Sequence, residues 1–147
     1  MRSARSRGSL IPGNGIAVPG PLLHIESDEL RRQMEVNLIG VHNATRAFAP
    51  LLGADRARKG KPGRIVMISS VGGERAMPFV GPYNASKFAL EGYSESLDHE
   101  LRTRGIRVSV IEPAYTRTGF DTNFMAPDAL LDEYRLAREG VNKRLSE

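Results

Sequence analysis

Residues 64–113 read RIVMISSVGGERAMPFVGPYNASKFALEGYSESLDHELRTRGIRVSVIEP, and the succession of patterns in this stretch decides the fold. Arg64 to Ser70 is a short run rich in β-branched residues, set between a Pro-Gly turn and the Gly72-Gly73 pair, which predicts a strand buried on both faces. From Asn84 the period becomes helical, with Phe88, Tyr93, Leu97 and Leu101 recurring four or five apart and Glu91, Glu95, Asp98 and Glu100 among them. Gly105 ends the helix, because glycine readily takes the left-handed conformation that follows a helical C-terminus. Ile106 to Ile111 then reads as a second buried strand, terminated by Pro113. Strand, helix and strand in this order make a βαβ unit with parallel strands. The expected class is α/β.

Upstream, Gly13, Gly15, Pro19, Gly20 and Pro21 make residues 12–23 a loop. Ser27, Asp28 and Glu29 supply a cap and first-turn negative charge. Leu30, Met34, Leu38, Val41, Phe48 and Leu52 then predict one helix, or two meeting at a bend, ending near Gly53. The segment ADRARKGKPG after it is a solvated loop. Downstream of Thr118 the chain is polar until Asp132 to Ser146, a predicted helix. Residues 1–11 are expected to be a disordered basic tail, and 12–147 a partial Rossmann-like domain of three layers. Two parallel strands are too few for a stable sheet of this kind, so the domain is expected to be incomplete.

Composition narrows the function. The 147 residues suit one domain, and the absence of Cys excludes a disulfide scaffold, a thiolate metal site and a cysteine nucleophile. There is no apolar run of the roughly 18 residues that a membrane span needs, and no secretory signal core, so a cytoplasmic protein without a membrane partner is expected. The formal charge of +4 is local. Residues 1–64 carry 11 basic and 5 acidic side chains, against 10 and 12 in the rest. No aromatic residues interleave with the loop arginines, which argues against nucleic acid. His24, His42 and His99 are scattered without ligand spacing, so no metal is expected.

Tyr83 and Lys87 lie four apart on the predicted helix and so share a face. A phenol, with an ordinary pKa near 10, gains acidity beside an ammonium, which fits it to give and take a proton near neutrality. Interconverting an alcohol and a carbonyl needs that, because hydride transfer at carbon must be matched by proton transfer at oxygen. Alone, a Tyr-x-x-x-Lys match is weak. Ser70 strengthens it: the residue closes the first strand, and ligands of open α/β sheets sit at the carboxyl ends of the strands. Ser70 can hydrogen-bond a substrate oxygen or cap the loop, and Ser69 is expected only to cap.

These residues resemble the short-chain dehydrogenase/reductase family of classical type, from about Gly15 to Thr118. RIVMISSVGG is similar to the family's strand bearing the active-site serine, YNASKFALEGYSESLDHEL to its catalytic helix, and IRVSVIEPAYTRT to its next strand and cofactor-contacting turn. Val36-Asn37-Leu38-Ile39-Gly40 resembles its asparagine-bearing helix. The resemblance implies that Asn37 holds a water in a relay to Lys87, Ser70 orients the carbonyl, Tyr83 is the acid/base and Lys87 also binds the nicotinamide ribose. It implies further cofactor contacts at Pro113, Ala114, Thr116 and Thr118, with NAD or NADP left open.

Two departures stand out. Pro113-Ala114 replaces the usual Pro-Gly, so the backbone there must avoid positive φ or accept strain. The family's glycine-rich phosphate turn between first strand and first helix is not found, since GNGIAVPG neither follows a strand nor opens a helix. The chain therefore reads as an internal piece of an NAD(P)-dependent oxidoreductase acting on a small secondary alcohol or ketone. The alternative is an inactive remnant serving as an interaction module, with the helix over 84–104 as a homo-oligomer contact. Phe79, Phe120 and Phe124, with Met77 and Met125, are candidates for an apolar substrate wall.

Overall fold

In the computed structural model, residues 8–13, 15–57 and 59–114 are described, together with Glu139 and Lys143. Three parallel strands stand in the order β1 (Ser9–Leu10), β2 (Arg64–Ile68), β3 (Arg107–Ile111). Ser9 pairs with Arg64, and the β2–β3 ladder runs from Arg64↔Arg107 to Ile68↔Ile111. Ser9 and Leu10, within the segment expected to be a tail, thus form a strand. Leu10 is half-buried against the core, and that contact, together with the ladder, offsets the cost of ordering it.

The helices are α1 (Ser27–Met34), α2 (Gly40–Ala49) and α3 (Gly81–Leu101). The cap of α1 is Glu26 rather than Ser27: Glu26 and Glu29 form a reciprocal capping box. Between α1 and α2 the chain does not break but widens into a π-helical turn, Glu35–Ile39. A second such turn, Pro50–Ala54, carries Gly53 at φ 123° and ends the rod where expected. The π turn has a geometric consequence. Glu29, Gln33, Asn37, Val41 and Thr45, spaced strictly by four, are all buried, although a regular helix of 3.6 residues per turn would rotate such a series off its face.

One core cluster joins Val41, Leu52, Ile65, Met67, Leu90, Ile106 and Val108. It lies on a single face of the sheet. Ile65 and Met67 are fully buried there, while Val66, Ile68 and Ile111 on the other face are half-buried or exposed. The two strands expected to be buried on both faces are thus covered on one, and the described residues supply two layers of the partial three-layer fold. Of the stripe expected to bury α3, Tyr93, Leu97 and Leu101 pack against the core, but Phe88 is 45% exposed, and the helix also buries Lys87, Leu90, Ser94 and Asp98. Gly105, at φ 72°, ends the short turn after α3 in the left-handed region as expected.

Asp98 fastens α3 to β3. Its carboxylate accepts hydrogen bonds from Arg107 Nε at 2.9 Å, Arg102 Nη2 at 2.7 Å and the Val108 backbone N–H at 2.9 Å. Those bonds, led by the one from Arg107, hold its carboxyl well below the usual range. A depressed carboxyl stabilises the fold above its unfolded pKa near 3.9, and the stabilisation is lost as pH falls through the folded value. Asp98→Asn is accordingly expected to lower the urea midpoint at pH 7 and to flatten its acid dependence, so that variant and parent converge below pH 4. Parallel acid titrations of urea unfolding check this.

Candidate active site

The site forms where β2 and β3 end. Their pairing continues past the strands, with the Ser69 N–H donating to Ile111 O at 2.8 Å and the Val71 N–H to Pro113 O at 3.2 Å, and this sets Pro113 beside the serine turn. Ser70 Oγ accepts the Gly72 N–H at 3.1 Å and so caps the turn Val71–Gly73. Of the two serines for which capping was expected, Ser70 makes the cap, and Ser69 Oγ has no hydrogen-bond partner among the described residues. Accepting that bond leaves the Ser70 hydroxyl its own proton to donate.

Helix α3 opens with Pro82 in its first turn, where a missing N–H costs nothing. Tyr83 and Lys87 therefore come one turn apart at its N-terminus. Lys87 Nζ donates to Ile68 O at 2.8 Å, two residues before Ser70, and lies 5.7 Å from the centroid of the Tyr83 ring. The ring itself rests on the serine turn: a Cβ at Gly72 would sit 3.2 Å from Tyr83 Cε1. Ser70, Tyr83 and Lys87 thus share one rim. Lys87 is buried, and that burial lowers its ammonium to about 8 against the opposing pull of the Glu91 charge.

The loop entering α3 is held under tension. Phe79 adopts φ 63°, the single non-glycine positive φ among the described residues, and its carbonyl accepts the Gly20 N–H at 2.7 Å beside a Gly20↔Val80 bridge. Ala114 has no positive φ, so the Pro-Ala turn avoids the left-handed region. Thr116, Thr118, Phe120, Phe124 and Met125 lie outside the described residues, as do Asp132 to Ser146 apart from Glu139 and Lys143.

Asn37 is fully buried on the π turn between α1 and α2. Its side chain is spent on structure: Nδ2 donates to Ile16 O and to Ser86 Oγ, each at 3.0 Å, and Oδ1 accepts the Ile16 N–H at 2.9 Å. Ser86 Oγ in turn donates to Tyr83 O at 2.7 Å, so Asn37 supports the tyrosine's backbone through one intermediary. A water relay from Asn37 would have to leave from its main-chain carbonyl. Gln33, one turn earlier, was not singled out by sequence, yet its amide takes the Val18 N–H at 2.9 Å and gives to Ile16 O at 2.6 Å. The signal was present in the two amide side chains four apart on one helix. They replace, for residues 16–18, the backbone partners that a strand would have had.

The polar groups at this rim fit the nicotinamide end of a dinucleotide. Lys87 presents a buried cation, Ser70 and Tyr83 present hydroxyls, and Pro113 lies beside the serine turn, its carbonyl accepting the Val71 N–H. Known proteins agree with this architecture. Residues 8–128 match the model of the short chain dehydrogenase family. The 3-ketodihydrosphingosine reductase of Bacteroides thetaiotaomicron is 40% identical over 114 residues, covering 78% of this chain and 40% of its own length. Two solved structures superpose at 30% and 32% identity. The 3-ketoacyl-(acyl-carrier-protein) reductase of Brucella melitensis, complexed with NADH, gives a TM-score of 0.71 over 80% of this chain and 48% of its own. The gluconate 5-dehydrogenase of Burkholderia cenocepacia, in complex with NADP and tartrate, gives 0.70 over 78% and 43%. The chain spans under half the length of each of these relatives. With its βαβ core, its serine turn and its Tyr-x-x-x-Lys helix, the chain belongs to the short chain dehydrogenase family.

Proposed function

We propose that this chain carries the catalytic half of an NAD(P)-dependent oxidoreductase that interconverts a secondary alcohol and a ketone. The observation carrying this reading is the convergence of Tyr83, Lys87 and Ser70 at the carboxyl end of β2. The cofactor, when bound, supplies or accepts hydride at the carbinol carbon. Ser70 donates its hydroxyl proton to the substrate oxygen and fixes its position. Tyr83 gives that oxygen a proton in reduction and takes one in oxidation, and the nearby Lys87 ammonium favours the phenolate form between turnovers. Lys87 would also hold the nicotinamide ribose, with Pro113, Ala114, Thr116 and Thr118 as further cofactor contacts. Asn37 serves through its hold on Ser86 and through its main-chain carbonyl.

The relatives are named for chemically dissimilar substrates, and the two solved structures hold NADH and NADP respectively, so neither substrate identity nor cofactor choice is carried over. We propose the helix over 84–104, on which Phe88 is 45% exposed, as a homo-oligomer contact. Titration with NADH and with NADPH, followed by nicotinamide fluorescence, tests the reading. Saturable binding at sub-millimolar concentration that Lys87→Met weakens at least about tenfold is expected, since a buried charged contact to a polar ligand is worth about 1.5–3 kcal/mol. Binding indifferent to Lys87 would count against it.

A further inference from the structure

Ser69, Gly73 and Glu91 meet close behind Lys87. Ser69 is 3% exposed, and its Oγ is buried without a hydrogen-bond partner among the described residues. The same holds for Oε1 of Glu91, which stands one helical turn beyond Lys87 on α3. Both atoms crowd one point. A Cβ built on Gly73 would lie 2.8 Å from Ser69 Oγ and 3.2 Å from both Cγ and Oε1 of Glu91. A side chain at residue 73 would therefore displace the carboxylate, and glycine is required there for space rather than for conformation.

Lys87 lacks such a charge at its tip, where Nζ meets the neutral carbonyl of Ile68. An ammonium taken out of water needs a compensating charge to remain protonated. The four-residue spacing places Glu91 on the lysine's own helical face. We propose that Glu91 is a positioning residue for Lys87: its carboxylate, on the same helical face and admitted by the bare backbone of Gly73, keeps the buried ammonium charged. The proposal rests on the reading of Lys87 as part of the active site.

The charges around this pair are few. Tyr83 faces Lys87 from the same helix. Glu74, on the serine turn, and Glu112, after β3, lie near Glu91. Burial first, then the charges of Glu74 and Glu91, push the Glu112 carboxyl up. Glu35, on the π turn packed across α3, is exposed. Against the burial of Lys87, Glu91 is the acid that acts to raise its affinity for a proton.

The test is an NMR titration of the full chain labelled at lysine Cε, with the Lys87 resonance assigned by Lys87→Arg. The parent midpoint is expected near 8. Glu91→Gln should bring it down by about one pH unit, the lower end of what an opposite charge at this range supplies. Glu91→Asp keeps the charge but withdraws it by one methylene, so its midpoint should fall between the two. An unchanged midpoint in Glu91→Gln overturns the proposal. Should circular dichroism show that this variant is unfolded, an unchanged midpoint in Glu91→Asp overturns it equally. Cofactor titration of Lys87→Met separates the two ideas: if affinity survives while Glu91 still shifts the lysine, the active-site reading falls and the action of Glu91 on Lys87 stands.

Discussion

Tyr83→Phe is expected to lower kcat for ketone reduction by about 10²- to 10⁴-fold, the range that a positioned proton donor contributes, with cofactor affinity little changed. The phenylalanine ring keeps the contact with Gly72 and the 5.7 Å approach of Lys87 Nζ, so the packing at the rim is retained and only the acidic proton is removed. The measurement is steady-state reduction of a ketone by the polypeptide as its gene encodes it, alongside a cofactor titration. A loss of kcat without loss of binding supports Tyr83 as the acid/base. Equal loss of both would mean that the hydroxyl serves binding, and undiminished kcat would remove Tyr83 from the chemistry.

The second large effect concerns stability. Burial lowers the Lys87 ammonium from 10.5 to about 8 in the folded chain, the Glu91 charge opposing it. Between those values the unfolded state binds more protons than the folded one, so stability rises with pH. The lysine penalty is present in full below pH 8 and is relieved as pH rises through 8 towards 10.5. Linkage gives a gain of about 2 kcal/mol between pH 7.5 and 9.5. Above pH 10 the sign reverses at another residue. Tyr93, whose phenol is pushed up chiefly by burial, stays neutral in the fold after the unfolded phenol has ionised. Stability should therefore peak near pH 10 in the parent, whereas Lys87→Met should lack the rise. Urea unfolding of both at pH 7.5 and 9.5 checks it, and parallel slopes would show that the ammonium is not carried in the buried state.

A buried cation that destabilises the chain at neutral pH is consistent with the role proposed for Lys87. The core cluster takes Leu90 from the same helix and does not include Lys87. Asp98 is a contrast on the same helix. Its charge is likewise withdrawn from solvent, but two arginines and a backbone N–H satisfy it, and it ties α3 to β3 far from the rim. One helix thus carries a structural ion cluster towards its C-terminal end and an undercompensated charge towards its N-terminal end.

The βαβ unit, its parallel strands, the helix end at Gly105 and the placing of Ser70, Tyr83 and Lys87 at one rim were legible in the sequence, because each depends on local periodicity, on turn chemistry or on the rule that ligands gather at the carboxyl ends of parallel strands. What the sequence misplaced were faces. Leu30, Phe48 and Phe88 were expected inward by the apolar pattern, yet all three are exposed, while Gln33, Asn37, Ser86 and Lys87 are buried. Hydrophobic periodicity assumes that a helix turns its greasiest side to the core, and here backbone groups at Ile16, Val18, Ile68 and Tyr83 give the polar side chains partners that make their burial tolerable. Those partners are 15 to 21 residues away for the first three, or reached through Ser86 across 49 residues from Asn37. The identity of the elements and of the candidate site residues was therefore set along the chain. Which side each helix buries, and that Asn37 supports Tyr83 through Ser86, was decided only when tertiary folding brought distant backbone donors and acceptors within hydrogen-bonding reach.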